Sequence, residues 1–136
     1  MWMQPGAEPI ACVGTTTVKP IMDGRYVEVE MSGEMPGMGE FTGTGIYGFD
    51  NVKQQFVSCW FDNHSTGIMN GTGEISEDGK TITWNYSGTC PITKKPIQVK
   101  DVETVTGPNT KVIESFAPDR KTGEVYRMMR IEMTKN

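Results

Sequence analysis

From Val13 to Met133 the chain is a succession of strand-length runs rich in aromatic, β-branched and glycine residues, nearly all separated by residues that turn the backbone. The pattern is densest between Phe41 and Gly73, FTGTGIYGFDNVKQQFVSCWFDNHSTGIMNGTG. Asp50-Asn51 and Asp62-Asn63 carry short side chains that bond their own backbone and tolerate positive φ. Tyr47, Phe49, Phe56, Trp60 and Phe61 supply bulk suited to a pleated, half-buried surface. Such a string dictates consecutive antiparallel hairpins.

The same reading predicts strands near Val13 to Ile21, Arg25 to Met31, Phe41 to Phe49, Gln55 to Phe61, Thr66 to Ile75, Thr81 to Gly88, Pro96 to Thr106, Thr110 to Ala117 and Glu124 to Met133. Asp23-Gly24, Asp78-Gly79, Gly107-Pro108-Asn109 and the longer Pro118 to Gly123 separate them by backbone chemistry. No window has helical periodicity. Val27, Val29 and Met31 alternate with Glu28 and Glu30, and Ile82, Trp84 and Tyr86 alternate with Thr81, Thr83 and Asn85, so each strand has one dry face and one wet face. The expected fold is all-β, an antiparallel up-and-down meander of about nine to ten strands that buries its dry side by closing into a barrel. A two-layer sandwich would need longer crossovers than these turns provide. One segment departs from the tight turns. Ser32 to Glu40, SGEMPGMGE, is expected to be a mobile loop at a barrel mouth, with Met35 and Met38 as its apolar side chains.

A length of 136 residues fits one domain, residues 1–136, with a core of useful size. Thirteen basic against seventeen acidic residues give a net charge of −4, which opposes general attraction to nucleic acid or an anionic membrane. Lys94, Lys95, Lys100, Arg120, Lys121, Arg127 and Arg130 make the C-terminal third more basic, but acids are interspersed and the reading is a solvated face. No run is long enough to span a bilayer, and the N-terminus lacks the apolar stretch of a signal peptide, so the expected compartment is the cytoplasm. Cys12, Cys59 and Cys90 are odd in number and far apart, and read as free thiols.

Tyr47, Phe56, Trp60, Met69, Trp84 and Tyr86 are the residues expected to line the interior, accompanied at strand positions by the polar groups Ser58, Asp101, Glu114 and Arg130. Inward ionisable groups are costly unless paired or wet, so a barrel that keeps them reads as a pocket with apolar walls and a few polar anchors. Arg130 with Glu114 or Asp101 is the expected anchor pair, provided the strand phase is right, since a slip of one residue would turn them outward. Gly43 and Gly45 share a face with Phe41, Tyr47 and Phe49, where a missing side chain lets a neighbouring ring pack down or leaves room for a ligand. Gly43 to Gly48 matches a dinucleotide fingerprint by letter but is followed by a strand and not by a helix. His64 reads as a turn residue. No motif fixes a reaction or calls for a cofactor or metal. Three roles stay open: noncatalytic binding of a small apolar or amphipathic molecule in the interior, an interaction or assembly module, and an enzyme using the cavity.

The run G-T-G-I-Y-G-F-D-N at Gly43 to Asn51, then Trp60-Phe61-Asp62-Asn63 and Ser65-Thr66-Gly67-Ile68-Met69, resembles the bacterial domain of unknown function family 1579. The likeness continues through Gly71 to Lys80, Pro91-Ile92-Thr93, Lys100-Asp101-Val102 and Pro118 to Thr134. It implies a small calycin-type barrel, lipocalin-like in shape, and no particular chemistry. Compared with that family, Met1 to Gly6 starts late in the first strand, which implies a gap between the first and last strands and pairing with a second copy. Arg130 stands where the family more often has an acid.

Overall fold

The computed structural model describes residues 1–135 and shows a single antiparallel sheet of nine strands. In chain order these are β1 (Val13–Ile21), β2 (Tyr26–Met35), β3 (Gly39–Asp50), β4 (Gln55–Asp62), β5 (Met69–Ile75), β6 (Thr81–Thr89), β7 (Pro96–Gly107), β8 (Thr110–Pro118) and β9 (Val125–Thr134). Each pairs with its sequence neighbour, so the meander is complete, and there is no helix among the described residues. No helix of the described residues is therefore long and apolar enough to cross a membrane.

Closure stops halfway. The sheet curls into a half-barrel, and β1 and β9 form its two edges without pairing to each other. Strand polarity supplies a physical reason. In a nine-strand meander β1 and β9 run in the same direction, so a closing seam would be parallel, unlike every other ladder in the sheet and slightly less stable per residue. All close backbone approaches between strands are between sequence neighbours, so the two flanks of the curl do not meet.

Register determines what the inner face carries. One row across the sheet places Phe56, Gly73, Trp84, Asp101, Ser115 and Met129 side by side from β4 to β9. The next row places Val27, Tyr47, Ser58, Gly71, Tyr86 and Val99 side by side from β2 to β7. A third brings Val29, Gly45, Trp60 and Met69 together. Trp84, Tyr86, Val99 and Ala117 are the buried centre, with Tyr47, Phe56, Trp60, Met69, Ile82, Ile97 and Met128 packed around it.

The segment expected to be a mobile loop, Ser32 to Glu40, is instead a hairpin. β2 extends to Met35 and β3 begins at Gly39, because Gly37 and Gly39 adopt φ of 79° and 83° and the chain reverses within a few residues. The Met38 amide donates to the Met35 carbonyl at 2.9 Å and closes that reversal.

Candidate functional site

Two glycines of β5 shape the floor of the inner face. A Cβ on Gly73 would lie 2.8 Å from the Trp84 ring, and one on Gly71 would lie 2.7 Å from the Tyr86 ring. With no side chain in the way, both rings lie down across β5. Trp84 thereby reaches two strands further, and its ring centroid is 5.3 Å from that of Tyr47 and 6.4 Å from that of Phe56, both in edge-on contact. Gly43 and Gly45 do the same on β3: a Cβ on the first would lie 2.3 Å from Trp60, and on the second 2.7 Å from Tyr47. The glycine face expected from the sequence is thus a packing face, and Gly71 and Gly73 extend it to the neighbouring hairpin.

Polar groups interrupt this aromatic floor. The Tyr86 hydroxyl and Ser58 Oγ share a buried hydrogen bond of 2.9 Å. Burial pushes both the Tyr47 and Tyr86 phenols above the ordinary tyrosine range, so neither ionises near neutral pH. The Ser115 hydroxyl, 1% exposed, donates to Asp101 Oδ1 at 2.6 Å. Asp101 has no cationic partner in any of the ion pairs of the described residues, and burial holds its carboxyl above the usual carboxylate range, with the Glu103 charge adding to the effect. Glu103, also on the inner face, is neutralised by Lys111 at 2.7 Å. The Trp84 indole N–H is covered and has no acceptor among the described residues.

Six of the residues expected inside, Tyr47, Phe56, Trp60, Met69, Trp84 and Tyr86, come together on this face. Asp101 joins them. The expected anchor pair does not form. Glu114 and Arg130 are cross-strand neighbours, but they belong to the row Glu74, Thr83, Val102, Glu114 and Arg130, one residue out of phase with Trp84, Asp101 and Ser115, and so face outward. There Glu114 accepts from Arg127 at 2.7 Å, while Arg130 pairs with Glu132. The partner of Asp101 is Ser115, which the sequence reading missed. Its signal was the alternation of Ile113, Ser115 and Ala117, a small hydroxyl between inward apolar residues.

The remaining candidates lie at the margins. Trp60 Nε1–H donates to Asp62 Oδ2 at 2.9 Å, and the other oxygen of Asp62 accepts the His64 backbone N–H at 2.9 Å. The imidazole of His64 stands edge-on to Phe41, ring centroids 5.4 Å apart, which is turn packing. Cys12 is exposed, Cys59 half-buried and Cys90 buried, all as free thiols. The Thr93 hydroxyl, helped by the Thr93 and Ile92 amides, holds the Cys90 thiol below its ordinary range. Two open depressions lie elsewhere, one against Gly14, Gly33 and Glu34 at the end of the β1–β2 hairpin, the other between Trp2, Pro5 and Tyr126. Neither includes any of the nine residues expected to bind a ligand.

The inner face thus carries a packed cluster of aromatic rings beside a carboxyl that has no cationic partner in any of the ion pairs of the described residues. No curated protein matches the chain. A family model described as protein of unknown function (DUF1579) matches residues 1–135, and the chain belongs to that family.

Proposed function

We propose that the protein binds a small amphipathic molecule, without transforming it, on the inner face of the half-barrel. The apolar part of the ligand lies against the half-buried Tyr47 and Phe56, above Trp84, and its polar end meets Asp101, whose carboxyl Ser115 positions from below. The observation that carries this reading is Asp101. A carboxyl set among aromatic rings with one serine for company costs folding free energy whenever it ionises, and a residue that weakens the fold at a concave surface is the kind retained for binding.

The test is a titration with fatty acids, haem, flavins and long-chain amines, followed by tryptophan fluorescence in a Trp2→Phe background so that the signal reports on Trp60 and Trp84. Quenching or a blue shift that saturates with one class of ligand supports the proposal. For a ligand whose polar end donates to Asp101, such as an amine, Asp101→Asn then weakens binding by about tenfold or more, the expected loss of a charge-assisted hydrogen bond. A flat response across the panel, with the protein folded, removes the reading.

A further inference from the structure

The chain has far more surface than its mass requires. It exposes 9527 Å², whereas a compact folded monomer of 15.1 kDa exposes about 7,100 Å². Part of the difference, about 2,400 Å² in all, lies on the inner face. The inner face is open: Val18 is 58% exposed, Ile75 51%, Val105 50% and Phe49 42%, and all four lie on that face by register. Val27, Val29, Met31, Ile113, Met129 and Ile131 of the two flanks are half-buried there and find no opposing layer. A sheet with one apolar face is stable when something covers that face.

We infer that a second copy of this chain covers the open inner face, the two curled sheets meeting apolar side to apolar side. The area singles out this occupant. Burying even half of the excess on each of two copies removes about 2,400 Å² in total, within the range of obligate homodimers, which bury about 2,000–5,000 Å². A short peptide or small ligand would cover a fraction of it. The edges point the same way. β1 exposes unpaired backbone groups along nine residues, and only Lys19 and Pro20 at one end are of the kind that discourages strand pairing. A two-fold axis perpendicular to the strands sets β1 antiparallel to its own copy and β9 likewise, which restores the polarity that closure within one chain cannot. The ligand reading concerns the same face but fails separately: a dimer without a ligand and a ligand-binding monomer are both self-consistent, and mass and fluorescence separate them.

Sedimentation equilibrium at micromolar concentration tests the inference, with twice the chain mass expected. The companion variant is Val18→Lys combined with Ile75→Lys. Both side chains are more than half exposed within one chain, so the charges leave the protomer fold intact while disrupting contact between the faces, and the expected species is a monomer with unchanged far-ultraviolet circular dichroism. A wild-type chain of single mass overturns the inference, whether or not it binds a ligand. So does a dimer that the double variant leaves as tight as before, because its contact is then elsewhere.

Discussion

Gly71 and Gly73 matter through the side chains they lack, and the cost of filling each gap depends on whether the ring above it can move. Trp84 is 5% exposed and wedged against Tyr47 and Phe56, so a methyl at Gly73 has nowhere to push it. Gly73→Ala is expected to destabilise the protein by about 1–3 kcal/mol, as overpacking in a core does. Gly43→Ala makes the closer nominal approach, to the outer edge of the Trp60 ring, yet Trp60 is half-buried and that edge can shift at the expense of its bond to Asp62, so the cost is expected to be smaller, about 1 kcal/mol. Urea unfolding of the two variants side by side checks the order. Asp101 provides the residue-scale pH effect. Its folded-state pKa is raised above the ordinary 3.8, so the folded protein holds that proton more tightly than the unfolded chain. The group costs no stability below about pH 3.8, and the penalty grows as pH rises through the folded value and persists at neutrality. Asp101→Asn, whose amide oxygen still accepts from Ser115, is therefore expected to be more stable than the parent at pH 7, with the advantage disappearing as pH falls to the ordinary carboxylate pKa. Unfolding curves across that range that show a constant difference would contradict it.

At the element scale, strands and turns were legible because each was written locally. The end of β1 follows from VGTTTVKPI running into Asp23-Gly24, and the β6 alternation of Ile82, Trp84 and Tyr86 places those residues on one face, as found. Harder to read was the β2–β3 turn, where the same glycines that suggest looseness supply the positive φ of a tight reversal. Another case is the irregularity in β9. Between Ser115 and Phe116 the register shifts, so Met128 is extra, Arg127 turns outward to Glu114, and the Met128 carbonyl accepts the Trp2 amide at 2.7 Å. Strand phase on β9 could not be counted through that bulge. On β8 no bulge intervenes between Ser115 and Glu114, so the alternation of Ile113, Ser115 and Ala117 already implied an outward Glu114, as its pairing with Val102 shows. The turn after β4 gives an element-scale prediction. Asn63 accepts from the Thr42 amide through Oδ1 and donates through Nδ2 to the Glu40 carbonyl, both at 2.9 Å, so one side chain extends the β3–β4 ladder beyond its last backbone pair. Asn63→Ala is expected to cost about 0.5–1.5 kcal/mol and to speed amide exchange at Thr42 selectively. Unchanged protection there would mean that the backbone bond from Asn63 to the Thr42 carbonyl suffices.

At the scale of the whole molecule the open inner face dominates. A dimer that buries it links folding to association, so the unfolding midpoint is expected to rise with protein concentration. Thermal scans over a hundredfold dilution series measure this, and a midpoint independent of concentration would show that folding does not require the second copy. The amino-acid order by itself determined the meander, the dry and wet sides of the central strands and the aromatic set, because turn chemistry and two-residue alternation act over neighbouring residues. How far the sheet curls, that Trp84 crosses β5 to meet Tyr47, that Asp101 is paired with Ser115 while Arg130 faces outward, and that β1 and β9 stay apart were decided by the tertiary structure. Those features depend on register summed across many ladders and on rings settling over missing side chains, and such long-range sums are not written in any single stretch of the chain.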